Sequence, residues 1–167
     1  MLKHLDPLLT PELLFVLAEM GHGDDLVLCD ANFPAHSVAM TTVHGSPVLL
    51  AGTDVPSAAR AILSVLPLDD FVDAPVSRMA VAGEPEAVPP VQQEMQEVVD
   101  AAAGRPVVVQ PVERFAFYEL ARAAYAVVAT GERRFWGCFI LKKGVIPPDA
   151  ADTRSAHDEV HRNIRSR

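Results

Sequence analysis

The chain has 167 residues, half of them apolar, and a formal net charge of −8. This suits one ordinary domain with a substantial core. The negative field, with no basic stripe interleaved with aromatics, excludes nucleic acid and anionic membrane surfaces as partners. No apolar run approaches the roughly 20 residues that span a bilayer, and Lys3, His4 and Asp6 leave the N-terminus without the apolar stretch of a signal peptide. A cytoplasmic protein is expected.

In chain order, Thr10-Pro11-Glu12 followed by Leu13, Leu14, Val16, Leu17 and Met20 predicts a helix with Thr10 at the N-cap and Pro11 at its first position. Gly21 and Gly23 flank His22 and place it on a tight turn. An apolar strand, Leu26 to Cys29, follows, with Asp25 and Asp30 at its ends. Asn32 to His36 reads as a loop, Val48 to Ala51 as a short strand, and Val55-Pro56-Ser57 opens a helix through Ala58, Ile62, Leu63, Val65 and Leu66. Phe71 to Val81, interrupted by Pro75, reads as a strand. Gly83 to Pro90 is a surface loop, and Val91 to Ala103 a helix stopped by Gly104. Val107 to Val109 is the next strand, Arg114 to Ala124 a helix, Tyr125 to Thr130 a strand, and Phe135 to Leu141 the last strand, ended by Gly144.

This alternation predicts an α/β fold with helices on both faces of a sheet, a three-layer α/β/α arrangement. The short turn around Gly131-Glu132 permits an antiparallel pair between the last two strands, so the sheet is expected to be mixed and mostly parallel. Residues 1–146 form one domain in this reading. Residues 147–167 form a polar tail, with a short terminal helix from Thr153 as an option. Cys29 and Cys138 lie in apolar, strand-like surroundings without a paired metal spacing, which favours buried thiols over a disulfide or a zinc site.

Chemistry concentrates between His22 and His36, where His22, Asp24, Asp25, Asp30 and His36 crowd into 15 residues. Imidazole and carboxylate are the usual partners for proton transfer near neutral pH. The strand separates its two ends by roughly 15 to 17 Å, so His22 and Asp30 of one subunit need not touch. A pocket built from separate loops or separate chains is then open. Asp24 and Asp25 as solvated turn residues, with His22 a capping or surface residue, is the plain structural alternative. His36 is either a lesser candidate or a solvent-facing loop residue. Metal binding by His22, His36 and an aspartate lacks supporting His or Cys spacing. No Gly-x-Ser-x-Gly elbow and no phosphate-binding glycine loop occur. Arg114, at a helix start where the dipole disfavours a cation, either serves a ligand or pairs with Glu113 or Glu119. Trp136 is either core or an aromatic face for a sugar ring.

Two blocks carry a resemblance. The first runs Pro7-Leu8-Leu9-Thr10-Pro11-Glu12-Leu13-Leu14, through Glu19-Met20-Gly21-His22-Gly23-Asp24, to Asp30-Ala31-Asn32-Phe33-Pro34-Ala35-His36-Ser37. The second holds Arg114-Phe115-Ala116-Phe117-Tyr118-Glu119, Ala126 to Glu132 and Gly137 to Val145. Together they resemble the family that L-fucose mutarotases share with D-ribose pyranases, closer to the fucose branch, over about residues 1–146. The resemblance implies a cofactor-free isomerase that interconverts the anomers of a reducing monosaccharide. It also implies a ring-shaped homo-oligomer, a decamer, with sites between subunits.

It further implies that His22 transfers protons, and that Asp30, Arg114 and the segment Trp136, Gly137 and Cys138 bind the sugar, with no metal. The family's Tyr-Gly-Asn triplet is Trp136-Gly137-Cys138 here. Losing a hydroxyl and an amide changes the polar contacts that discriminate similar ligands, so the sugar preference is left open. The rival reading keeps the scaffold as a monosaccharide-binding or regulatory protein without turnover. A third, a metal-dependent isomerase or lyase acting on open-chain sugars, predicts bound divalent metal.

Overall fold

The computed structural model describes residues 2–148. Most of the polar tail, and the helix read from Thr153 onward, lies outside the described residues. The elements run α1 (Pro11–Glu19), β1 (Asp25–Cys29), α2 (Ala35–Ala39), β2 (Pro47–Leu50), α3 (Val55–Leu63), β3 (Val76–Met79), α4 (Pro90–Ala103), β4 (Val109–Val112), α5 (Arg114–Arg122), β5 (Ala126–Thr130) and β6 (Phe139–Lys142). The strands form one sheet in the order β2-β5-β1-β6-β3-β4. Only β6 runs against its neighbours, antiparallel to both β1 and β3, while the remaining pairs are parallel.

The three layers follow from the two-residue period of strand side chains. Leu26 and Leu28 of β1, Ala126 and Val128 of β5, and Phe139 and Leu141 of β6 face one side, packing with Leu13, Val16 and Leu17 of α1, Ile62 of α3 and Met95 and Val99 of α4. The alternate residues Val27, Cys29, Val127 and Ile140 face the other side, against Val38 and Ala39 of α2 and Phe117 and Ala121 of α5. Because β1 is covered on both faces, its interior is a continuous apolar run. Each fully buried large side chain here contributes about 1.5–3 kcal/mol.

The α1 cap forms as its residues predict: the Leu13 amide donates to Thr10 Oγ1 at 3.2 Å. Gly104 ends α4 in the left-handed conformation, φ 66°. Several boundaries differ. Ala35 to Ala39 is a short helix, so His36 is helical rather than in a loop. Only Val76–Met79 of the Phe71–Val81 stretch is strand: the Pro75 carbonyl accepts from the Lys142 amide at 2.8 Å, but Pro75 has no N–H to give the ladder, and a turn precedes it. The strand expected at Val107–Val109 lies at Val109–Val112. Phe135 to Cys138 stands outside β6, because Trp136 takes a φ of 67°, which no strand residue adopts. The last two strands do not pair: β1 lies between them.

Candidate active site

The carboxyl ends of β1, β3 and β5 and the amino end of β6 meet at one edge of the sheet, the place where open α/β sheets bind ligands. A cleft of about 370 Å³ opens there. Asp30, one residue past β1, forms its floor and is only 4% exposed. The Asn32 amide donates to Asp30 Oδ1 at 2.9 Å, and the Gly137 amide to Oδ2 at 3.2 Å. The Cys138 thiol also points at Oδ2, 3.5 Å away. Burial first, then the neighbouring Asp30 charge, pushes the Cys138 thiol pKa well up, so it acts as a neutral donor. Burial likewise raises the Cys29 thiol. Both cysteines are free thiols.

The walls are mostly aromatic and apolar: Phe33, Met79, Tyr118, Phe135 and Trp136. Phe33 packs edge-on against Phe117, at 6.2 Å between ring centroids, and tilted against Tyr118 at 5.6 Å. Arg114 also lines the cleft, its guanidinium 4.8 Å above the Phe115 ring. Its place in the first turn of α5 is answered by Glu113, whose carboxylate caps the helix by accepting from the Phe115 and Ala116 amides. Glu119 pairs with Arg122. Neither acid therefore engages Arg114, which is left to face the cleft.

The loop between β5 and β6 holds the rim. Buried Glu132 accepts from the Arg134 amide, Nε and Nη2, and Arg134 Nη1 reaches Glu94 on α4 at 2.7 Å. Those guanidinium hydrogen bonds hold the Glu132 carboxyl below the usual carboxylate range, against the opposing effect of burial. Gly137 threads between them. A Cβ there would lie 3.1 Å from Glu132 Cγ and 3.4 Å from Asp30 Cβ, closer than a side chain fits without displacing the rim. Two other depressions, about 330 and 390 Å³, lie near Val65 and Ile146, and neither holds a buried carboxylate.

His22 is not in the cleft. It sits on the turn before β1, at the opposite end of that strand from Asp30, with its side chain 45% exposed. Its Nε2 lies 3.1 Å from Oδ1 of Asp69, a side chain only 3% exposed. The Phe71 amide donates to the same oxygen at 3.0 Å, and this bond leads the causes that lower the Asp69 pKa, His22 contributing further. Phe71 meets the imidazole edge-on at 5.5 Å. Asp24 caps its own turn by accepting from the Gly21 amide, and Asp25 pairs with Lys142 at 2.7 Å. His36 is exposed on α2.

Of the expected site residues, Asp30, Arg114, Trp136, Gly137 and Cys138 therefore come together, and His22 stands apart. Sequence reasoning missed Asp69, Phe33, Met79 and Tyr118. Phe33 and Tyr118 left a signal, Phe33 three residues after Asp30 in the first resemblance block and Tyr118 one helical turn from Arg114 on α5. Among the described residues no three His, Cys, Asp or Glu side chains are grouped to hold a metal ion.

Fold and cleft together define an α/β protein with a candidate ligand cleft at the carboxyl ends of its parallel strands, with an aromatic wall, a buried acid and an arginine. Residues 3–146 match the RbsD/FucU transport protein family, and the chain belongs to it. It is 43% identical over 147 residues to the L-fucose mutarotase of Actinobacillus pleuropneumoniae serotype 5b (strain L20), covering 88% of this chain and 99% of that protein. It is 45% identical over 152 residues to the fucose mutarotase of Danio rerio, covering 89% and 96% respectively. The crystal structure of the fucose mutarotase from Streptococcus pneumoniae in complex with L-fucose superposes with a TM-score of 0.78 at 35% identity, covering 87% of this chain and all of that one.

Proposed function

We propose that this chain is a cofactor-free mutarotase that interconverts the anomers of L-fucose or a closely related reducing sugar. The observation that carries this reading is similarity above 40% identity, over 88–89% of this chain, to proteins named fucose mutarotase. The aromatic and acidic cleft supports it, because it offers stacking for the C–H face of a sugar and hydrogen bonds for its hydroxyls.

Mutarotation removes the proton from the anomeric hydroxyl and delivers one to the ring oxygen. The C1–ring-oxygen bond breaks, an aldehyde forms, and closure on its other face returns both protons. Imidazole exchanges protons near neutral pH, which assigns this work to His22, with Asp69 as its partner. Asp30 and Arg114 orient the hydroxyls, and Trp136, Gly137 and Cys138 form the wall beside them.

Since His22 and Asp30 lie at opposite ends of β1, one complete site needs two subunits in head-to-tail contact. Such contacts form a ring where the rotation between subunits closes, and we propose a ring-shaped homo-oligomer, a decamer, as the family resemblance implies. Exposed aromatics stand at both ends, Phe71 beside His22 and Phe115 and Phe135 at the cleft, as an interface between copies would use. Residues 1–146 make up the single mutarotase-like domain in this reading, and residues 147–167 its polar tail. The reduced state of Cys29 and Cys138 suits the cytoplasm.

Saturation-difference NMR of anomer exchange with L-fucose tests the proposal. Wild type accelerates exchange, and His22→Ala loses at least about 100-fold, the usual worth of a general acid–base group. An unaltered rate in the variant removes His22 from the mechanism. The resemblance also supports a second reading, sugar binding without turnover, because it implies Tyr and Asn where this chain has Trp136 and Cys138. A binder of that kind perturbs sugar resonances without speeding exchange.

A further inference from the structure

Gln92 is the third residue of α4 and only 2% exposed, yet it does not line the cleft. Every polar atom of its amide is used. Nε2 donates to the carbonyls of Met79 at 2.8 Å and Trp136 at 2.9 Å, and Oε1 accepts from Arg78 Nη1 at 2.8 Å. Arg78 is itself buried and donates to the carbonyls of Ala87 and Pro85, so the amide cannot turn over without facing donor to donor.

What this amide grips is unusual. Trp136 is a non-glycine residue in the left-handed region, φ 67°, a conformation that persists only where the surroundings impose it. The peptide linking Trp136 to Gly137 is clamped at both ends. Its carbonyl takes the Gln92 hydrogen bond, and its N–H is the one that donates to Asp30 Oδ2 at 3.2 Å.

We infer that Gln92 is a positioning residue for the cleft: by holding the Trp136 carbonyl, it fixes this peptide so that Gly137 N–H meets Asp30 and the Trp136 ring faces the ligand. Without the donor, the carbonyl is left buried and unpaired, and Trp136 relaxes toward ordinary backbone angles. That rotation withdraws the N–H from Asp30 and brings carbonyl density toward its carboxylate. The ligand being a monosaccharide rests on the function proposed above.

The test uses the full chain. Gln92→Met keeps the volume and removes the amide. Gln92→Glu replaces both donors with acceptors, and its charge is answered by Arg78, which keeps the variant foldable if the methionine form is too unstable. Val99→Ala, on the same helix but in the core away from the cleft, controls for simple destabilisation. Trp136 is the only tryptophan, so its emission reports the cleft directly.

In the Gln92 variants the sugar-free emission maximum shifts and KM for L-fucose rises about tenfold, the worth of one or two buried hydrogen bonds, while kcat changes by less than about threefold. Val99→Ala lowers Tm and leaves emission and KM as in wild type. A folded Gln92 variant with wild-type emission and KM, or one that merely tracks the control, overturns the inference. If wild type exchanges no anomers, the proposed function fails, and the emission comparison still decides the role of Gln92.

Discussion

An imidazole that is nearly half exposed has no burial to fix its ring, and His22 is fixed instead by contact with Asp69 and Phe71. Asp69 suits that task because the hydrogen bond from the Phe71 amide holds its carboxyl below the usual carboxylate range. Asp69→Asn preserves shape and removes the charge, and we expect it to slow anomer exchange about 10- to 100-fold, as loss of an orienting partner does elsewhere. A rate equal to wild type by NMR would show that the contact does no work. Asp69 was beyond reach of sequence reasoning because it lies 47 residues from His22, and only the chain's path joins them. That Asp30, Arg114 and Trp136 share one cleft was legible from the sequence blocks around them. The far side of the cleft's apolar wall was not, since Met79 looks like any core residue in a linear reading.

The elements were legible where a local signal sets their limits. Thr10 with Pro11 starts α1, and Gly104 ends α4, each by backbone chemistry confined to a few residues. Strand limits are set by partners instead. β4 begins at Val109 because β3 offers its ladder from Val76, and β6 begins at Phe139 because the rim loop uses Phe135 to Cys138 for the cleft. That loop depends on the ion pair between buried Glu132 and Arg134. Since the Glu132 pKa is lowered by folding, its stabilisation is complete above the unfolded glutamate value of about 4.3 and is lost as pH falls through the lower folded value. Glu132→Gln should cost about 1–3 kcal/mol at pH 7. Its Tm should then fall less steeply than wild type below about pH 4. Thermal melts across pH 2–7 check both, and parallel curves would place the acid sensitivity elsewhere.

At the scale of the whole molecule, the proposed roles of His22 and the cleft, which lie at opposite ends of β1, would make assembly a chemical requirement. A mixing experiment isolates it. His22→Ala and Asp30→Ala are each expected to be inactive alone. Dissociated together and reassembled one-to-one, they should recover roughly a quarter of the wild-type exchange rate, the share of head-to-tail contacts at which two intact halves meet. No recovery would mean that each subunit works with its own residues. The sheet order carries a different consequence. β1, made early, has as its two neighbours β5 and β6, the last described strands to be made, about a hundred residues later. A nascent chain therefore leaves the ribosome with this apolar central strand unpaired on both edges until translation of the domain is nearly done. Such a sheet gains little from vectorial folding, and its synthesis leaves an aggregation-prone edge open for longer.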